Sequence, residues 1–261
     1  LRASLDGAAF VFCRETLTLS YLRAQRVATP ELGFAPDAAF GIAIRNDAAA
    51  ERFLSAHALS PQGYLCVIPR MRYTPYHLVH ATPATTEDLH RAAISQRHLD
   101  ADLAKLVDVI ATWVRATGLK VLLCPEMTYQ VGVAEQLLER LSPAVRGAVI
   151  CRREYWLPDE AIATYARAMA LISLDNHSPI FALSQEVPAL YVRQPTDTTK
   201  GQMWEDLDLG DWLVEIDQVS GLLAIAADPA AARRRVGALM ARVRASQHSA
   251  LSILREAIRQ S

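Results

Sequence analysis

Short apolar runs alternate along the chain with longer stretches in which apolar residues recur every three or four positions. Such short runs predict buried β-strands, and the longer spacing predicts amphipathic helices. From residue 64 onward the alternation is regular, and it predicts strands at residues 64–68, 121–124, 148–151, 171–174, 189–192 and 213–216. Strands that alternate with helices are typical of βαβ units in a mostly parallel sheet.

The helical pattern is longest at residues 87–117, closed by Gly118, and at residues 229–260. A glycine at this position is the usual end of a helix. Shorter helices are predicted at residues 133–141, 158–169 and 180–185. In the last long helix, the three consecutive arginines at 233–235 are predicted to face solvent.

The first 60 residues contain too few elements for a domain of their own. They predict a strand at 9–12, a helix at 16–26, an extended segment at 34–40 and a connector at 48–58. The fold class predicted is therefore α/β with two unequal parts. Residues 1–60 hold the last βαβ portion of a preceding Rossmann-like domain and its connector, and residues 61–261 form a complete Rossmann-like domain with a long C-terminal helix.

Composition narrows the function classes. About half of the 261 residues are hydrophobic and the formal net charge is -1. This balance excludes disorder and argues against a nucleic-acid groove or a polybasic membrane surface as the main function. No apolar run is long enough to predict a transmembrane segment. The cysteines lie in or beside apolar runs, and we interpret them as buried thiols of a cytoplasmic protein: Cys13, Cys66, Cys124 and Cys151.

Polar residues follow several predicted strands directly. His177 follows the fourth strand of the regular alternation, Glu126 the second, and Arg70 and Arg72 the first. The carboxyl ends of parallel strands share one edge of the sheet, where ligands bind in open α/β folds. Imidazole also titrates near neutral pH, which suits proton transfer.

Structural roles are open for the same residues. His177 could cap the following helix, Glu126 could pair with a helix dipole, and the arginines could be surface charge. Lys200 could be a solvated loop lysine. His77 and His80 have no third ligand nearby, so no metal site is predicted.

Three parts of the chain together resemble one enzyme family. They are CRETLTLSYL (13–22) with PELGFAPDAAF (30–40), VIPRMRYTPYH (67–77) with LLCPEMTYQVG (122–132), and the run ISLDNHSPIFALSQEVPALYVRQPTDTTKGQMWEDLDLGDWLVEID (172–217). The third part is the most specific, because it has a His at a strand end, an alanine-rich short helix, a Val-Pro-Ala strand, Lys-Gly and a Gly-Asp-Trp-Leu ending. These stretches resemble the polysaccharide pyruvyl transferase family.

The resemblance implies a fold similar to the GT-B type, with two Rossmann-like domains facing across a cleft. It implies transfer of the carboxyvinyl group of phosphoenolpyruvate to hydroxyls of a saccharide acceptor, often closing to a pyruvate ketal, with no cofactor and no metal. Members of the family begin with a glycine-rich loop further upstream, so the chain is expected to start inside a longer protein.

The chemistry implied by the resemblance gives the residues roles. His177 is expected to protonate the methylene carbon as general acid, and Glu126 to assist the acceptor hydroxyl. The residues expected to bind substrate share the loops at the carboxyl edge of the sheet: Arg70, Arg72, Asn176, Ser178, Arg193 and Lys200.

One position departs from the pattern, because many members carry Arg two residues before the strand-end His and this chain has Asp175. Two other functions therefore stay open. One is a GT-B glycosyltransferase that uses a nucleotide-sugar donor, and the other is a non-catalytic relative that binds a carbohydrate or a protein.

Overall fold

The computed structural model describes residues 1–216 and 222–260. The strands in these ranges are β1 (Phe10–Cys13), β2 (Glu31–Phe34), β3 (Tyr64–Ile68), β4 (Lys120–Leu123), β5 (Val149–Cys151), β6 (Ala170–Ser173), β7 (Ala189–Arg193) and β8 (Leu213–Glu215). The helices are α1 (Arg2–Asp6), α2 (Thr16–Ala24), α3 (Asp47–Ala56), α4 (Tyr76–Val79), α5 (Thr86–Thr117), α6 (Gln130–Arg140), α7 (Pro143–Arg146), α8 (Pro158–Tyr165), α9 (His177–Ser184), α10 (Gln202–Asp206), α11 (Leu222–Ala227) and α12 (Pro229–Gln260). Short 3-10 helices cover Ala38–Gly41 and Gly210–Trp212.

The larger sheet has the order β5-β4-β3-β6-β7-β8, and every neighbouring pair is parallel. All the strands predicted after residue 60 are confirmed, with ends that differ by at most one residue. The central strand β3 is an unbroken apolar run because both of its faces are covered, and all of its residues are buried. The chain builds outward from β3 in one direction and from β6 in the other. The switch point between these two strands is where open α/β sheets bind ligands.

The long helix α5 has matched signals at both ends. Thr85 and Asp88 form a capping box at its start, and Gly118 ends it with a φ of 68°. Because that backbone is left-handed, glycine is the residue that adopts it at least cost.

We expect Gly118→Ala to lower the free energy of unfolding by about 1–2 kcal/mol, because a Cβ disfavours the left-handed conformation. No atom lies within 4 Å of the added Cβ, so the effect comes from the backbone alone. Gly132→Ala is the matched control, since that site is exposed in α6 with equally open space. It is expected to raise stability by about 0.5–1 kcal/mol in urea unfolding. Equal effects of both substitutions would contradict the assignment.

One prediction for the first 60 residues is corrected, and the structure of another segment is added. Residues 34–40 do not continue as an extended segment: β2 ends at Phe34, and a 3-10 helix, capped by the Asp37 side chain, follows at Ala38–Gly41. The connector predicted at 48–58 is the helix α3, which buries Ala50 and Leu54 and packs against α8. Ala50 is fully buried, and its small side chain allows α3 to lie close to the elements it packs against.

Strands β1 and β2 form a separate parallel pair. The two sheets therefore fall on either side of residue 60, as the predicted division requires, although residues 217–221 and 261 of the predicted second domain lie outside the described residues. The division itself stays a prediction. Helix α12 contacts both parts, because Val236 and Met240 are buried in the core and Leu251 and Leu254 line an apolar groove beside β1.

The arginine triplet on α12 is not simply solvated. Arg233 donates to the backbone oxygens of Ala168 and Glu186, and Arg235 pairs with Asp211.

Helix α8 also ends earlier than predicted, at Tyr165. The cysteines are free thiols, of which Cys151 is only partly buried. Among the described residues, every helix is too short or too polar to cross a bilayer.

Candidate functional site

His177 is the first residue of α9, directly beyond the carboxyl end of β6. Its side chain is 50% exposed, and its Nδ1 lies 3.4 Å from the Glu126 Oε1. Glu126 follows β4, so two strands that are not adjacent in the sheet deliver this pair to the same edge. The hydrogen bond to Glu126 raises the pKa of His177, and burial opposes it only in part. The imidazolium form is therefore favoured.

The other oxygen of Glu126 belongs to the start of α9. Its Oε2 accepts a hydrogen bond from the Ser178 backbone N at 2.8 Å and from the Ser178 Oγ at 2.6 Å. Burial acts to raise the pKa of Glu126, but the hydrogen bonds from His177 and Ser178 outweigh it and lower the pKa. Glu126 therefore fills the anion-favouring end of α9 and also orients His177. The interpretation of Glu126 as a partner of a helix dipole is confirmed, and its action on an acceptor hydroxyl stays a prediction.

A second buried hydroxyl continues this network. The Tyr165 hydroxyl lies 3.2 Å from the Ser178 Oγ. Tyr165 closes α8 and is 1% exposed, so the network reaches from the sheet edge into the core. The sequence analysis predicted Ser178 as a substrate ligand, whereas its hydrogen bonds lead to Glu126 and Tyr165.

Asp175, which stands where the resembling family often has Arg, lies between β6 and α9. It accepts hydrogen bonds from the Gln130 Nε2 at 3.1 Å and from the Asn176 backbone N at 3.0 Å. Burial raises its pKa, and the charge of Glu126 adds to this effect. The position therefore adds a carboxylate to the site instead of a cation.

Arg70 lies across the switch point from Asp175. Its Nη1 donates to the Asp197 Oδ1 at 3.0 Å, and its Nε lies 3.8 Å from the Asp175 Oδ2. Burial disfavours the charge, but the two carboxylates outweigh it and raise the pKa of Arg70. Lys200 approaches the same Asp197 oxygen at 3.7 Å. Two of the predicted cations, Arg70 and Lys200, therefore gather at one carboxylate.

The other predicted cations are engaged elsewhere. Arg72 makes a two-bond contact with Asp102 of α5, at 2.8 and 2.9 Å, so it does not straddle a common anion with Arg70. Arg193 pairs with Glu215 of β8. Asn176, predicted as a substrate ligand, is buried and accepts a hydrogen bond from the Trp204 Nε1 at 3.2 Å.

The first part of the chain closes the opposite side of the site. Asp37 follows β2 and pairs with Arg14, which follows β1, at 2.6 Å. Its charge contributes to the raised pKa of His177, and the adjoining 3-10 helix contacts α9. The sequence analysis did not single out Arg14 or Asp37, although both lie in the stretches that carry the resemblance. Each of them follows a strand, so the reasoning used for His177 and Glu126 would also have identified Arg14 and Asp37.

A cavity of about 190 Å³ opens beside His177. Its polar end is formed by Glu126, His177 and Ser178. The remaining walls are mostly aromatic or otherwise apolar: Pro125, Tyr155, Trp156, Pro158, Ala161, Tyr165 and Phe181.

Three groups at the site could also hold a metal ion. Potential ligand atoms of Glu126, Asp175 and His177 lie within 4.8 Å of one another. Two carboxylates and an imidazole suit a divalent cation such as Mn²⁺ or Zn²⁺. The sequence analysis predicted no metal ligands at these positions, where the carboxylates of Glu126 and Asp175 accept hydrogen bonds from protein groups.

No family model matches the chain, and none of the curated proteins matches it in sequence. Solved structures do match in fold. A UDP-forming α,α-trehalose-phosphate synthase from Burkholderia xenovorans has 11% identity and a TM-score of 0.52, with 98% of this chain and 63% of the other covered. An α,α-trehalose 6-phosphate synthase from Burkholderia multivorans has 12% identity and a TM-score of 0.50, with coverages of 99% and 62%.

The chain thus spans less than two thirds of the length of these two synthases. It also matches a UDP-N-acetylglucosamine 2-epimerase from Rickettsia bellii at 12% identity with a TM-score of 0.44, and the match covers 73% of this chain and 44% of the epimerase. Together with the parallel sheets, the likeness to the two synthases confirms the predicted fold class, which is α/β and GT-B-like.

Proposed function

We propose that this chain belongs to a transferase that moves a group from a phosphate-bearing donor to a hydroxyl of a saccharide, with His177 as the group that transfers the proton. The observation that carries the proposal is the half-exposed imidazole held by Glu126 at the switch-point edge, where the charge of Asp37 also contributes to the raised pKa of His177. Because Nδ1 faces Glu126, the Nε2 of His177 is the atom available to substrate. Its protonated form is also an accessible cation for an anionic donor.

A nucleotide sugar is the first candidate donor, supported by the GT-B-like fold and by a similar structure described as UDP-forming. In this reaction the bond between the anomeric carbon and the diphosphate breaks, and the acceptor oxygen forms the new bond to that carbon. The Nε2 of neutral His177 takes the hydroxyl proton. The nucleoside diphosphate leaves with the bonding electron pair.

Phosphoenolpyruvate is the second candidate donor, and a specific observation favours it. The three separate stretches that resemble the pyruvyl transferase family supply Asp37, Glu126 and His177 to one site. In this reaction protonated His177 gives its proton to the methylene carbon, and the acceptor oxygen bonds to the neighbouring carbon as the hydroxyl proton passes to the now neutral His177. A second hydroxyl then displaces the phosphate to close the ketal.

The pH dependence of kcat/KM separates the two candidates, because they use opposite forms of the same imidazole. If His177 is the acid, activity falls as the pH rises through its raised pKa. If it is the base, activity falls as the pH drops below that value. Glu126→Gln is expected to move the inflection to lower pH, because it removes the carboxylate that raises the pKa of His177.

Turnover is measured with UDP-sugars and with phosphoenolpyruvate against a panel of saccharides. An inflection that Glu126→Gln does not move would contradict the role of the pair. A wild-type protein that binds saccharides but turns over none of these donors would support the non-catalytic alternative.

A further inference from the structure

We propose that the cavity beside His177 is a subsite for one sugar ring, and that Tyr155 supplies the aromatic surface on which this ring packs. The inference rests on the proposed function for the identity of the acceptor. It adds where the saccharide binds and which side chain selects it.

The cavity combines aromatic walls with a polar end, and a sugar ring needs both kinds of surface to bind. Its walls are aromatic, with Tyr155 45% exposed and Phe181 partly buried. Aromatic faces pack against the C–H faces of pyranose rings, and a few polar groups fix the orientation of a ligand in a pocket of this kind. Those polar groups are Glu126, His177 and Ser178, all at one end.

The size of the cavity favours a single ring. Its volume of about 190 Å³ lies below the roughly 300–1,000 Å³ that is usual for drug-sized ligands. One monosaccharide unit fits this space better than a complete nucleotide does. The rest of a larger acceptor would then extend toward solvent past the exposed side of Tyr155.

The charges at the polar end favour a neutral ligand. Glu126 and the nearby Asp175 are carboxylates, so a phosphate placed against them would meet like charge, and His177 is the one cation of this group that it could pair with. Glu126 already occupies the backbone N–H of Ser178 at the start of α9, so this helix end is not available to a second anion. Sugar hydroxyls can donate to a carboxylate, and they can accept from the protonated imidazole or donate to its neutral form. A ring placed here brings one hydroxyl to His177.

Saturation-transfer NMR on the intact chain tests the subsite without turnover. The probes are the methyl glycosides of glucose, galactose, mannose and N-acetylglucosamine, with UDP and phosphoenolpyruvate measured in parallel. We expect at least one glycoside to bind, and Tyr155→Ala to weaken it about tenfold or more, as for an aromatic anchor. Tyr155→Phe keeps the ring and is expected to stay within about twofold of the wild type.

Tyr21→Ala is the matched control, because Tyr21 is 62% exposed on α2, which lies outside the cavity. The subsite is overturned if none of the glycosides binds, or if Tyr155→Ala weakens UDP or phosphoenolpyruvate while leaving the glycosides unchanged. The two proposals fail separately. Binding that depends on Tyr155 without any transfer would remove the proposed function, and transfer unaffected by Tyr155→Ala would remove the subsite.

Discussion

His177→Ala is expected to lower turnover by about 10²- to 10⁴-fold, the usual contribution of a positioned acid or base. The reason is that the half-exposed imidazole of His177 lies at the carboxyl edge of the sheet and is held there by Glu126. The fold is expected to survive, since the imidazole contributes little buried surface. The measurement is kcat/KM with the donor that the wild type uses, together with urea unfolding of the same sample.

His90→Ala is the matched control for this substitution, because His90 is an exposed histidine on α5. Its activity and stability are expected to equal those of the wild type. If His177→Ala turned over at a rate within about threefold of the wild type, His177 could not be the group that transfers the proton.

Asp197→Ala is expected to lower the free energy of unfolding by about 3–5 kcal/mol, the cost of breaking a buried ion pair by removing one partner. Asp197 has a side chain 2% exposed and accepts from Arg70 at 3.0 Å and from the Tyr191 hydroxyl at 2.8 Å. Its loss leaves the buried guanidinium with the Leu174 backbone oxygen at 3.3 Å and with Asp175 at 3.8 Å, beyond hydrogen-bond distance, and it leaves the Tyr191 hydroxyl without this acceptor.

Two comparisons identify the cause of this loss. Glu135→Ala removes an exposed partner of Arg153, and we expect a change of about 0–1 kcal/mol. The double substitution Arg70→Met with Asp197→Leu removes both charges, and it is expected to recover part of the stability lost in Asp197→Ala. If the double variant were no more stable than Asp197→Ala, the unpaired charge of Arg70 would not explain the loss.

The central sheet could be predicted because each strand is a local apolar run whose burial does not depend on its partner. Its helices followed from the 3.6-residue spacing. The segment at 34–40 was wrong because Pro36 marks extended backbone, whereas the cap that starts the 3-10 helix is made by the next residue, Asp37. The connector at 48–58 was predicted from its position alone, and the structure adds that it is the helix α3, which packs against α8.

The part of the site that follows from strand positions could be predicted from the sequence. Parallel strands deliver the residues at their carboxyl ends to one edge, and this placed His177 beside Glu126 and Arg70 beside Lys200. The rule does not give the partners that reach a side chain from distant parts of the chain. Asp102 lies in the middle of a long helix and Glu215 on an edge strand, and they draw Arg72 and Arg193 away.

Helix α12 links the core of the larger sheet to Asp37, which lies near His177. Its buried first half is anchored in the core of the larger sheet, and the Gln247 Nε2 in its second half donates to the Asp37 backbone oxygen at 3.0 Å. The backbone of Asp37, whose charge contributes to the raised pKa of His177, is thus tied to a helix that packs into the core through Val236 and Met240. Substitutions that bend this helix would move Asp37 and thereby change the pKa of His177, although no group around the imidazole is altered.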